Sequence, residues 1–199
     1  RTGHVKVMGR AYAENADQNP NDLALLGVDQ ITADLQQQYP EMTWVQRIQF
    51  GGLLDIPDVN GETRSQGPVF GMGVDLLSPG SSEVELLNIE KALVNGRLPQ
   101  NSGEILISDE LARRLEVKLG EAATLLTSTM YASMAMYNFT VVGTIRFGFL
   151  VMDRGAMIVD LTDIQQAMDM EDAAGEILGY MGNRIYDDEN AAIIVEQFN

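Results

Sequence analysis

Alternating and helical hydrophobic patterns divide this chain into strands and helices in mixed order. Residues 3–9 alternate apolar and polar side chains, which is the period of a half-buried strand. From Asp22 to Tyr39 apolar residues recur every three or four positions, which predicts one helix with an inward face. Asn21 or Asp22 is its predicted N-cap, and Pro40 is predicted to end it at the preceding residue.

Hairpins and short helices are predicted for the rest of the chain. The pair Asn60-Gly61 indicates a tight turn between two long strands. Strands are predicted at 42–56, 62–76, 104–107, 123–127, 139–146, 156–159 and 177–186, and helices at 109–116, with Ser108 as the cap, 161–168 and 188–198. Because strands and helices do not alternate regularly, the predicted fold class is α+β.

Charge and composition limit the partners that the chain can have. The 199 residues carry 13 Lys and Arg against 29 Asp and Glu, a net charge of -16, which argues against nucleic acid as a partner. Cysteine is absent from the sequence, so disulfides and thiolate metal sites are excluded. The chain begins without Met and ends inside a predicted helix, so we expect it to be a piece of a longer protein.

Recognisable catalytic and cofactor motifs are missing from the sequence. His4 is its one histidine, so a multi-histidine metal site is excluded, and we expect His4 to be an ordinary surface residue. The sequence contains neither a G-x-S-x-G elbow nor a phosphate-binding G-x-x-x-x-G-K-[ST] loop. Asp58 and Asn60 surround a turn, but Ile56 and Gly67 occupy the outer positions of a calcium loop. The sequence therefore predicts no catalytic residue, no cofactor and no metal.

A cluster of methionines is the strongest candidate for a binding site. Met130, Met134 and Met136 crowd together with Tyr131 between two predicted strands. Such residues form a mobile hairpin loop or fill a core, they contact varied apolar partners, or they bind Cu(I) through thioethers. As a site, we predict that Met130, Tyr131, Met134 and Met136 contact a partner or a cargo.

A run of motifs extends through the middle of the chain. It comprises, in order, Gly96-Arg97-Leu98-Pro99, Glu104-Ile105-Leu106-Ile107-Ser108, Leu111-Ala112, Leu115, Leu119-Gly120-Glu121 and Phe139-Thr140-Val141-Val142-Gly143-Thr144. In order and spacing, the run resembles the periplasmic core domain of MacB-type and lipoprotein-releasing, FtsX-like, ABC transporter permeases. The first strand, the predicted helix over 22–39 and the segment from 183 onward fit the same family more loosely.

The resemblance implies an architecture and a mechanical function. Residues 1–85 and 176–199 would form a porter-like, βαβ-rich subdomain, and residues 86–175 an inserted, mostly β subdomain. In the family, such a periplasmic domain belongs to an inner-membrane protein and couples ATP hydrolysis to the handling of a lipoprotein, lipid or peptide cargo. The implied partners are a cytoplasmic ABC ATPase subunit, a second permease copy or paralogue, and a periplasmic or outer-membrane protein. The family carries no catalytic residues here, so we do not expect an enzyme.

Two other functions fit the same residues. A free-standing binding module at the cell surface or in the periplasm would have a similar composition. A hydrolase using two of the many carboxylates would need a deep pocket and a carboxyl group with a strongly raised pKa.

Overall fold

Strands dominate residues 3–181, which are the residues described by this computed structural model. In chain order the strands are β1 (Val5–Val7), β2 (Leu25–Leu26), β3 (Met42–Pro57), β4 (Thr63–Val74), β5 (Leu93–Gly96), β6 (Glu104–Ser108), β7 (Ala122–Ser128), β8 (Met134–Ile145), β9 (Ala156–Asp160), β10 (Ala173–Ala174) and β11 (Glu176–Met181). The helices are α1 (Arg10–Glu14), α2 (Val28–Gln38), α3 (Glu83–Leu86), α4 (Ile89–Ala92), α5 (Asp109–Arg114), α6 (Leu150–Gly155) and α7 (Leu161–Ala167). The irregular order of strands and helices confirms the α+β class.

Six of the strands close into a barrel. The order β3–β4–β9–β6–β8–β7 returns to β3, because β7 pairs with both β8 and β3. The pairs β4–β9 and β6–β8 are parallel, and the other four pairs are antiparallel. Closure gives each of these strands a partner on both sides, which removes the exposed edges that promote aggregation.

The barrel strands are buried on two faces. On β6, Ile105 and Ile107 belong to the main buried cluster, whereas Leu106 between them belongs to a second one. On β9, Met157 and Ile158 divide in the same way. Because successive side chains point to opposite faces, the main cluster lies on one face of these strands and α4 covers the other. This double burial explains the continuous apolar runs of both strands.

A glycine makes room for an aromatic ring in the main cluster. Phe50 on β3 pairs with Gly71 on β4, and its side chain is 1% exposed. A Cβ atom at position 71 would overlap the Phe50 ring, so only glycine fits. The absence of a side chain at Gly71 therefore leaves the space that the Phe50 ring fills in the core.

The long strand β3 joins the barrel to a second ladder. Its first six residues, Met42 to Arg47, pair with β11, which in turn pairs with β1. Residues 48–57 pair with β4 in the barrel. The barrel thus takes β3 and β4 from residues 1–85 and its other four strands from residues 86–175. The division of the chain into two subdomains at these boundaries stays a prediction.

The helix predicted over 22–39 begins later than expected. Residues Asn21–Leu23 form a single 3-10 turn and β2 follows, so α2 begins only at Val28. The predicted caps Asn21 and Asp22 are therefore wrong. The carboxylate of Asp172, far along the chain, accepts a hydrogen bond from the Asp29 backbone N–H at 2.8 Å and takes that role. The helix ends at Gln38, one residue before the predicted end.

Other predicted elements are largely confirmed within residues 3–181. The Ser108 hydroxyl caps α5 by accepting from the Leu111 backbone N–H at 3.2 Å, as predicted. The helices α1, α3, α4 and α6 and the strands β2, β5 and β10 were not predicted, and all of them are six residues long or shorter. The predicted strand 177–186 is found as β11 up to Met181. The rest of that strand and the helix predicted over 188–198 lie outside the described residues.

Candidate functional site

The predicted contact segment is the turn end of the hairpin formed by β7 and β8. The turn covers only residues 129–133, so Met134 and Met136 lie on β8 rather than in a loop. The Thr129 hydroxyl accepts hydrogen bonds from the backbone N–H groups of Tyr131 and Ser133 at 3.3 and 3.2 Å. These bonds satisfy the turn locally and hold Tyr131 at the tip.

The four predicted residues have two different environments. Tyr131, Met134 and Met136 are 72%, 80% and 66% exposed. Met130 is half-buried against the main cluster, and its backbone N–H donates to the Met168 carbonyl at 2.9 Å. Met130 therefore anchors the turn to the barrel, while the other three side chains project from it.

An apolar strip continues from the tip along the outside of the barrel. Met136 pairs with Leu126 on β7, and Leu126 pairs with Leu53 on β3. The neighbours that point to the opposite face, Leu54 and Leu125, are fully buried. Alternation therefore places Leu53, Leu126, Met134 and Met136 on the outer surface, and these four residues are called the apolar strip below.

His4 has a structural role. Its Nδ1 accepts a hydrogen bond from the Met181 backbone N–H at 2.9 Å, and its ring meets the Tyr180 ring edge-on. The side chain therefore fastens the start of the described chain to the end of β11.

In residues 3–181, no group of three His, Cys, Asp or Glu side chains is placed to hold a metal ion.

The acidic turn between β3 and β4 uses its carboxylate internally. Asp58 Oδ1 accepts from the backbone N–H groups of Asn60 and Glu62 at 2.8 and 3.0 Å. These bonds lower the pKa of Asp58 and close the turn. The arrangement is that of a hairpin turn stabilised by its own aspartate.

The residues that carry the family resemblance hold one loop together. Arg97 donates to both carboxylate oxygens of Glu104 at 2.7 and 2.6 Å. Glu104 also accepts from the backbone N–H of Gln100 at 2.8 Å and from Asn101. These partners hold the pKa of Glu104 far below its usual range, and the Arg97 guanidinium makes the largest contribution. These residues fold the loop before β6, which is a structural role.

Gly143 and Asp109 complete that structural unit. The β6–β8 register shifts by one residue beside Gly143, where a Cβ atom would lie 2.6 Å from the Arg97 carbonyl oxygen. Asp109 at the start of α5 accepts from Arg113 and from Arg146, the latter at 2.7 Å. The contacts of Arg97, Glu104 and Gly143 therefore give this part of the motif run a structural role.

A buried ion pair lies between the β3–β11 ladder and α3. Arg47 Nε and Nη2 donate to the two oxygens of Glu83 at 2.8 and 2.7 Å, and Nη2 also donates to the Tyr180 hydroxyl at 2.9 Å. The Arg47 and Glu83 side chains are 2% and 0% exposed. No local pattern in the sequence signals this pair.

A second exposed apolar segment was missed by the sequence analysis. Phe149, Leu150 and Val151, where α6 begins, are 70%, 64% and 72% exposed. The signal was present as an apolar run, Phe147-Gly148-Phe149-Leu150-Val151-Met152, that fits neither a strand nor a helix of the prediction. Adjacent large apolar side chains in water indicate a contact surface.

Comparison with solved structures identifies a similar architecture. The crystal structure of the periplasmic region of MacB from Actinobacillus actinomycetemcomitans matches 97% of this chain and 82% of its own chain, with a TM-score of 0.60. The fold is MacB-like. Sequence identity is 9%, so the likeness lies in the architecture. No family model matches the sequence, and no curated protein does.

The MacB-like fold is the fold that the resemblance of the motif run implied. The match extends over almost the whole chain, including strands on both sides of the run between residues 96 and 144. Within residues 3–181 no helix has the length and apolarity needed to cross a membrane.

Proposed function

We propose that this chain is the periplasmic domain of an ABC transporter permease in the inner membrane. The observation that carries the proposal is the MacB-like fold over 97% of the chain. The motif run between Gly96 and Thr144 supports it independently, because the order and spacing of its residues resemble the same family. The structure gives a physical reason for that run, namely the loop around Glu104 and the close contact at Gly143.

In this proposal the domain transmits movement and catalyses no reaction. A cytoplasmic ABC ATPase subunit hydrolyses ATP, membrane helices of the parent protein carry the movement, and the periplasmic domain acts on a lipoprotein, lipid or peptide cargo or on a periplasmic partner. A second permease copy or a paralogue completes the transporter. The division into residues 1–85 with 176–199 and residues 86–175 belongs to the same proposal.

The contact surface in this proposal is the apolar strip with Tyr131 at its tip. Exposed methionines suit partners of varied shape, because their unbranched side chains repack easily. Tyr131 adds a large, partly polar contact with few rotatable bonds. The hairpin projects these side chains from a closed barrel, so they are presented on a rigid support.

The experiment that tests the proposal is membrane fractionation of the full-length parent protein in its own cells. Antibodies against residues 3–181 follow the protein through a carbonate wash of the membranes and through protease treatment of spheroplasts. We expect the parent protein to stay in the washed membrane and this segment to be cleaved from outside. A parent protein that the carbonate wash releases, or a segment protected in intact spheroplasts, would show that the proposal is wrong.

A further inference from the structure

A deep cavity lies on the outer face of the sheet, beneath α3, α4 and α6. Its volume is about 680 Å³, which is within the range of small-molecule sites. The apolar part of its wall consists of Met72, Leu86, Leu87, Phe147, Met152 and Ile158. Several of these residues pack on the second buried cluster, so the cavity extends from the core to the surface.

Four cationic side chains line this cavity although the protein is strongly acidic, and three of them are paired with carboxylates. The chain has three lysines, Lys6, Lys91 and Lys118, and the first two line the cavity together with Arg146. Lys6 pairs with Glu176 at 2.8 Å, and Arg146 pairs with Asp109 at 2.7 Å. These pairs neutralise Lys6 and Arg146, so Lys91 is the cavity residue whose positive charge would attract an anionic ligand group.

Lys91 is the cation that is available to a ligand. Its side chain is exposed at the rim, and within residues 3–181 it forms neither a hydrogen bond nor an ion pair. An ammonium group at the edge of an apolar cavity binds an anion more strongly than one surrounded by water, since the wall lowers the local dielectric constant.

The exposed apolar segment beside α6 forms part of the cavity mouth. Phe149 lines the cavity and is still 70% exposed. Its position is fixed, because the Asp153 carboxylate accepts from the backbone N–H groups of Phe147 and Gly148 at 2.7 and 3.0 Å. An aromatic ring held in water at the mouth of an apolar cavity offers a surface that a bound chain would cover.

We propose that this cavity binds an anionic single-chain amphiphile, with its acyl chain along the apolar wall and its headgroup at Lys91. Leucine and methionine walls suit a flexible chain, because they contain few polar groups that would orient a rigid polar ligand. A free fatty acid and a lysophospholipid share this chemistry. The inference rests on the cavity alone and does not depend on the proposed permease function.

Isothermal titration calorimetry of the 199-residue chain with palmitate tests the inference. Palmitate is kept below the concentration at which it forms micelles. We expect saturable binding of one palmitate per chain. In a series of fatty acids from ten to fourteen carbons, the Kd should fall about fourfold for each added methylene, which is the effect of burying one CH₂ group. The variant Lys91→Glu should raise the Kd at least tenfold. The matched control Lys118→Glu reverses the charge of the lysine outside the cavity and should leave the Kd unchanged.

Two further ligands and one further variant make the outcome decisive. Palmitoyl lysophosphatidylglycerol distinguishes a lipid from a free acid as the source of the ligand, and binding of either supports the site. Hexadecanol has the same chain without charge and should bind more weakly than palmitate. Phe149→Ser changes an exposed side chain and should also raise the Kd, with an unchanged Tm. The inference is overturned if neither amphiphile binds, if hexadecanol binds as tightly as palmitate, or if both lysine variants behave alike.

Discussion

Arg47 and Glu83 meet inside the protein, where water reaches neither side chain. The guanidinium and carboxylate are joined by two hydrogen bonds, and the Tyr180 hydroxyl accepts a third. Burying two charges costs several kcal/mol per ion, and their attraction roughly offsets that cost. The intact pair therefore adds little net stability, whereas losing one partner leaves the other charge buried without compensation.

We predict that Glu83→Leu destabilises the protein by about 3–5 kcal/mol, because it leaves the Arg47 charge buried without its carboxylate. The double variant Arg47→Met with Glu83→Leu should recover most of that loss, since neither charge is then buried. Urea unfolding monitored by circular dichroism measures both free energies. A double variant as unstable as the single one would contradict this account of the pair.

Sequence reasoning at the residue scale succeeded where interactions are local. The predicted Ser108 cap lies three residues from its partner Leu111. Arg47 and Glu83 are 36 residues apart, and each looks like an ordinary charged residue in the sequence. Their partnership exists only because the fold brings β3 beneath α3.

At the scale of elements, the hairpin of β7 and β8 shows how a strand can serve two purposes. Its inner face fills the barrel with Leu125 and Phe139, which are 0% and 2% exposed. Its outer face carries the apolar strip. The closure of β7 onto β3 keeps this outer face from twisting away, so the strip has a fixed orientation.

We predict that the strip contacts another polypeptide in the assembled protein. A photo-crosslinking amino acid at position 136 of the full-length parent protein should give an adduct in cells after irradiation. Position 59 is the matched control, because Val59 is also exposed and apolar but lies in the other hairpin turn. Adducts that are absent from position 136, or equally abundant from position 59, would contradict the role of the strip.

Elements of sufficient length were predictable, and the short ones were not. The strands β3 and β4 have 16 and 12 residues, and the Asn60-Gly61 turn signal between them identifies them as a hairpin. The helices α3 and α4 have four residues each, which is barely one turn, so no helical period can develop. The predicted start of α2 was wrong because Gly27 adopts a left-handed conformation and Asp172 caps the helix from another part of the chain.

At the scale of the whole molecule, the sequence predicted the fold class but not the barrel closure. Closure depends on pairing Leu53 with Leu126, and no property of either strand alone indicates this partner. The candidate surface was predicted in part, since Tyr131, Met134 and Met136 are exposed. The cavity beneath α3, α4 and α6 was not predicted, because its walls come from seven separate segments of the chain.

Acid should destabilise the whole domain. Arg64 lowers the pKa of Glu121 to about 2, and Arg97 lowers that of Glu104 further, so both are ionised in the folded protein at pH values where the unfolded chain binds protons. Their stabilisation is present above about pH 4.5, their ordinary value, and is lost as the pH falls towards the folded pKa.

Urea unfolding between pH 6 and pH 2.5 measures this effect. The unfolding free energy should fall steadily below about pH 4.5, and the fall should be shallower in Glu121→Gln, which lacks one of the titrating groups. A midpoint that stays constant down to pH 2.5 would contradict the assignment of these carboxylates.

The neighbouring positions of β1 and β11 determine how the domain responds to a pull. Residue 4 is fastened to residues 179 and 181, so the two ends of the described chain lie side by side. A force that draws these ends apart loads the hydrogen bonds between β1 and β11 one after another, and the two strands separate from that end. A force that moves both ends together leaves these hydrogen bonds unloaded, and it reaches the barrel through β3, which pairs with β11.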